Sequence, residues 1–141
     1  MESFNLSYYA NHVQFIEFLA LNLDKLEAME NSEINTFSVT KEALHRDLAS
    51  RAYYTAFLKI RDTLNLPQDT MHASIKEKLE KKYKNIFLEL KEIRTKADYY
   101  TTDVDQFVFP VKLDKGTQFY SMRVVSIMKK ILGADVNELT P

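Results

Sequence analysis

The stretch from Leu44 to Leu64, LHRDLASRAYYTAFLKIRDTL, constrains this chain more than any other. Tyr53, Phe57, Ile60 and Leu64 recur at helical spacing and form one apolar face. Leu44, Leu48, Ala52 and Ala56 form a second apolar stripe beside it. A helix that is apolar on two faces must be covered from more than one side. Ala49, Ala52 and Ala56 are small enough to let neighbouring helices come close. The stretch therefore predicts a central helix inside a bundle, with Arg51 on a mostly buried element. A buried guanidinium has to be paired or to face a cleft, because a lone buried charge is very costly.

The rest of the chain agrees with a bundle. Its 141 residues suffice for one domain with one core. Two glycines and three prolines are too few for a fold built on tight turns. Ser3 to about Glu30 reads as a first helix, with Val13, Ile16, Leu19 or Ala20, Leu23 and Leu26 inward and Phe15 and Phe18 widening the stripe. Residues 31–39 read as a loop and Thr40 as an N-cap for the central helix, expected over 41–65, which ends before Pro67. Asp69 or Thr70 can cap a third helical stretch over 70–99, either one helix or two meeting around Lys82–Asn85. Its inner face is Ile75, Leu79, Tyr83, Ile86, Leu90, Ile93 and Ala97. A last helix is expected over 115–132, lined by Tyr120, Val124, Ile127, Met128 and Ile131 and stopped at Gly133, followed by a frayed tail. The expected fold is all-α, an antiparallel bundle of four to five helices forming a single domain over 1–141.

Charge is divided unevenly. Residues 1–70 carry six basic and ten acidic side chains, net −4, and residues 71–141 carry thirteen and ten, net +3. The excess gathers between Lys76 and Lys96, either as a solvated helix face or as a weak field for an anion. The absence of cysteine excludes disulfides, thiolate metal sites and cysteine nucleophiles. No Gly-rich phosphate loop, nucleophile elbow or metal-ligand spacing is present, so no cofactor and no metal is expected. The segment MESFNLSYYANH has no basic leader and no long apolar run, so no membrane contact and a cytoplasmic location are expected.

Arg94 and Asp98, spaced i, i+4, can pair on one helix face. The pair is either a local salt bridge or a guanidinium held ready for a phosphate, with Asp98 orienting Arg94 or reaching Arg51. Arg51, Arg94 and Asp98 are accordingly expected to converge. His12 is expected to be partly exposed or hydrogen-bonded, and His45 to lie on the surface. His72 either caps the helix it opens or serves the site.

The segments SRAYYTAF (Ser50–Phe57) and LKEIRTKADYY (Leu90–Tyr100) together resemble the HEPN family, the higher eukaryotes and prokaryotes nucleotide-binding domain. The resemblance lies with its stand-alone prokaryotic branch, which has an Arg-x-x-Tyr-Tyr-Ala-x-Phe helix and a later Arg-x-x-Ala-Asp-Tyr segment. Arg51, Tyr53, Tyr54 and Phe57 match the first motif, with Thr55-Ala56 in place of its small pair; Arg94, Ala97, Asp98 and Tyr99 match the second. His72 stands about where many members carry a histidine. The resemblance implies a homodimer with a polar cleft at its seam, RNA or a nucleotide as ligand, and a toxin–antitoxin or defence setting. A nucleotidyltransferase-like protein is a common partner. It further implies that Arg51, Tyr54, Arg94, Asp98 and Tyr99 line the cleft, with Arg94 and His72 as the catalytic candidates. Ribonuclease members are metal-independent and carry a histidine four to six residues after the arginine. Here Arg94 is followed by Asp98, Tyr99 and Tyr100, so that motif is incomplete. Phe107, Val108 and Phe109 are too apolar for a plain solvent loop; they either tuck onto the helices or meet another subunit, as in a two-fold dimer. The alternative is a non-catalytic helical module that pairs with a partner protein.

Overall fold

The computed structural model describes residues 6–30, 41–99 and 116–141, and among these it contains helices and no strand. The helices are α1 (Leu6–Leu21), α2 (Leu23–Glu30), α3 (Lys41–Thr63), α4 (His72–Ile75), α5 (Lys81–Tyr99), α6 (Gly116–Leu132) and α7 (Val136–Leu139). A 3-10 turn, Lys76–Lys78, follows α4. The chain is an all-α helical bundle. Thr40, the 31–39 loop, the Phe107–Phe109 cluster and the side chain of Tyr99 lie outside the described residues.

Helix α3 is the axis of the bundle. Leu48, Ala49, Ala52, Tyr53, Ala56, Phe57 and Ile60 are all buried, as two adjacent apolar stripes require. Its first turns meet those of α6 through His45 and Ser121, so these two helices begin at the same end. Helix α5 runs the other way, because Ser50 reaches Asp98 and Tyr54 reaches Arg94. Helix α1 ends where α6 begins, with Gln118 donating to the Ala20 carbonyl at 2.8 Å. Both α1 and α5 touch α3 and α6, so they fill the two grooves beside a central α3–α6 pair. Most of the apolar positions expected to face inward from α3, α5 and α6 form one cluster with Ile16, Leu19, Ala20 and Leu23.

Several expectations are corrected. The first helix is two helices, broken at Asn22. Its side-chain amide donates to the Phe18 carbonyl at 2.8 Å, competing with the helical ladder. Phe15 and Phe18 do not widen the inner stripe; they are 47% and 50% exposed. Ile16, Leu19 and Ala20 already take the core side of α1, and a step of about 100° per residue leaves both phenylalanines off it. Helix α3 does end before Pro67, at Thr63, but through a closure of its own. Asn65 adopts φ 54°, and Leu66 and Asn65 donate to the Arg61 and Asp62 carbonyls in a Schellman closure.

The third stretch breaks at Leu79–Glu80 rather than at Lys82–Asn85. Leu79 is extended, with φ −98° and ψ 144°. Glu80 then caps α5, its carboxylate accepting from the Lys82 amide at 2.8 Å. Neither Asp69 nor Thr70 caps α4: Met71 holds the cap position without a side-chain bond. The lysines between 76 and 84 are thus divided between a 3-10 turn and the start of α5, not laid along one helix face. The tail is not frayed. Asp135 and Glu138 form a capping box for α7, Leu139 is fully buried, and its carbonyl accepts from the Glu80 amide at 2.7 Å. His45 is fully buried, not on the surface, with Nδ1 2.7 Å from Ser121 Oγ. His12 is half-buried. No described helix is long and apolar enough to cross a membrane.

Candidate functional site

The seam between α3 and α5 holds the chemistry. Burial of Tyr53, Phe57, Ile93 and Ala97 draws the two helices together and sets Ser50 and Tyr54 opposite Asp98 and Arg94. Arg94 Nε lies 2.7 Å from Asp98 Oδ2, and Nη2 donates to the Tyr54 hydroxyl at 2.8 Å. Ser50 Oγ donates to the same Asp98 oxygen at 3.4 Å. The guanidinium carbon stands 5.2 Å from the Tyr53 ring and 5.0 Å from the Tyr54 ring, in the angle between two rings set edge to face. Arginine suits this place, since its flat cation faces aromatic rings while its edge donates along fixed directions. The side chains of Arg94 and Asp98 are only 13% and 22% exposed, whereas Tyr54 is 41% exposed and carries the cluster to the surface.

His72 joins the cluster from the other side. Its Nδ1 lies 2.6 Å from the Tyr53 hydroxyl. Its ring stacks on Phe57 at 3.8 Å and 9°, and stands edge-on to Tyr54 at 5.6 Å. His72 therefore does not cap α4, although it opens that helix. Burial lowers its pKa below the usual imidazole value, and the nearby cations Arg94 and Lys91 lower it further. Burial raises the Tyr53 phenol well above its usual range, against the pull of Arg94, so the hydroxyl keeps its proton.

Arg51 is not part of this cluster, and the expected convergence of both arginines with Asp98 does not occur. Its side chain is 44% exposed, with Nε 3.0 Å from Asp47, four residues earlier on α3. Its guanidinium leans over Phe15 of α1 at 6.0 Å. The reason is angular: position 51 lies about 60° round the helix from position 54, on the flank turned to α1 rather than α5.

Two residues outside the expected set prove central to the geometry. Tyr53, read from the sequence as core and as part of the first motif but not as a site residue, links Arg94 to His72. Arg46 ties the other end of the seam: it pairs with Glu42 at 2.6 Å and donates to the Ala97 carbonyl at 2.7 Å in the last turn of α5. The i, i+4 spacing of Glu42 and Arg46 was a visible signal for the pair, but nothing in the sequence joined it to α5. Among the described residues no three His, Cys, Asp or Glu side chains group as metal ligands. Comparison of the chain with family models, with curated proteins and with solved structures finds no match. Fold and site therefore define a class by their own chemistry: a helical bundle with one arginine, one carboxylate, an exposed tyrosine and a neutral imidazole gathered on an interhelical seam.

Proposed function

We propose that this protein is a HEPN-like bundle that binds a phosphate ester, as RNA or a nucleotide, at the Arg94 cluster, in a toxin–antitoxin or defence setting. One observation carries the reading. Arg94 and His72, 22 residues apart in sequence, both lie against Tyr54, which is itself exposed. A guanidinium supplies charge and directed donors for phosphate oxygens, and an exposed tyrosine offers a face on which a base can stack. Asp98 orients Arg94, and Ser50 braces Asp98. Tyr99 follows directly in the chain, and Arg51 contributes only distant charge. The test is binding of a labelled short single-stranded RNA over a salt series. Each phosphate neutralised contributes about −0.7 to the log–log slope of affinity against salt. Arg94→Gln should abolish the salt-dependent binding while circular dichroism reports a folded bundle. Binding by neither wild type nor variant defeats the proposal.

A second reading, an interaction module, is favoured by a different surface. Phe15, Phe18 and Leu21 are 47%, 50% and 59% exposed along the outer side of α1, more apolar area than a lone surface helix needs. A second copy of the chain or a nucleotidyltransferase-like partner would cover them. Sedimentation of wild type against Phe18→Glu tests the homodimer: this reading expects a dimer that the charge dissociates.

A further inference from the structure

We propose that the Tyr53 hydroxyl holds His72 in the neutral tautomer protonated at Nε2, so that His72 meets a bound phosphate ester as a hydrogen-bond donor and not as a general base. The ligand half of this inference rests on the phosphate-binding reading above; the tautomer half rests on geometry alone. The Tyr53 side chain is fully buried. Among the described residues its hydroxyl has one polar partner, His72 Nδ1 at 2.6 Å. A buried hydroxyl hydrogen needs an acceptor. A proton on Nδ1 would leave the phenol hydrogen with none. The phenol therefore donates, Nδ1 accepts, and the one proton of a neutral imidazole sits on Nε2.

The surroundings hold the ring neutral and in place. Facing it are Tyr53 and Tyr54 from α3 and the cations Arg94 and Lys91 from α5, with Asp98 already engaged by Arg94. A third positive charge there is disfavoured. Stacking on Phe57 and the edge contact with Tyr54 fix the ring plane, and turning it over would cost the Tyr53 bond. Nε2 has no partner among the described residues. The seam thus offers a ligand the positive charge of Arg94 and, beside it, a neutral imidazole N–H. What it withholds is a lone pair at Nε2. Attack by a ribose 2′-hydroxyl needs a base to take its proton, and the lone pair that could do so is spent on Tyr53. The phosphate ester is held rather than cleaved, and Tyr53 is the positioning residue that decides this.

The test uses the full chain, labelled with nitrogen-15. Two-bond proton–nitrogen spectra above neutral pH, assigned with His72→Gln, should show a pyrrole-like Nε2 and a pyridine-like Nδ1 for His72. Tyr53→Phe should move the Nδ1 resonance while the melting curve confirms a folded protein. A pyridine-like Nε2 in wild type overturns the tautomer. Binding of a short oligouridylate then tests the donor role. His72→Phe keeps the stacked ring and removes the N–H, and should weaken binding about tenfold. His72→Gln restores an N–H at that edge but cannot act as a base, and should recover most of the loss. Loss of an RNA-cleaving activity in His72→Gln, with binding retained, overturns the donor assignment. If wild type binds no RNA, the phosphate site and the donor role fall together, while the spectrum still decides the tautomer.

Discussion

Removing one oxygen atom probes the site most sharply. Tyr54→Phe deletes the hydroxyl that accepts from Arg94 at 2.8 Å and leaves the ring. A hydrogen bond to a charged group contributes about 1.5 to 3 kcal/mol when buried. Tyr54 is 41% exposed, so water replaces part of it, and a loss of about 1 kcal/mol is expected. Arg94→Met keeps the aliphatic stem and removes the cation. It forfeits two ring contacts of about 0.5 to 1 kcal/mol each and leaves Asp98, 22% exposed, without its counter-charge. With the Tyr54 bond the expected loss is about 2 to 3 kcal/mol, close to 10 °C in Tm for a chain of this size. The double variant should fall short of the sum by about 1 kcal/mol, because the bond can be lost only once. Urea unfolding of the four proteins measures this. Additivity within about 0.3 kcal/mol would mean that the hydroxyl and the guanidinium do not interact in solution, which would refute the Arg94–Tyr54 contact.

Three further outcomes are expected. Leu139→Ala should cost about 2 to 3 kcal/mol by emptying a fully buried position at the end of the chain, whereas a frayed tail would make the change silent in thermal melts. Ser121→Ala should cost about 1 to 2 kcal/mol, since it takes a 2.7 Å partner from the buried His45, and calorimetry would reveal it. The third outcome concerns acidity. His72 has a depressed pKa when folded, so the unfolded chain takes up its proton first as pH falls. Its contribution to stability is therefore complete above the unfolded value near 6.5 and is lost progressively below it. Chemical unfolding of wild type should weaken through this acidic window, and His72→Gln should show a shallower decline.

The sequence by itself determined the class of fold and the inner faces of α3, α5 and α6. Helical periodicity with almost no glycine or proline admits few other solutions, and the inward positions follow from spacing alone. It also determined the Arg94–Asp98 pair, because four residues on a helix fix which side chains are neighbours. Where local signals were even, the sequence could not decide. Helix α1 is apolar nearly all round, so only its docking against α3 and α6 showed that Phe15 and Phe18 face outward. The sequence suggested Arg51 and Arg94 equally, and the rotation of α3 against α5 separated them. The links from Tyr53 to His72, His45 to Ser121 and Glu80 to Leu139 span 19, 76 and 59 residues. No local pattern encodes such distances. They exist because packing the bundle strips water from these polar groups and leaves them partners that the fold has brought within reach.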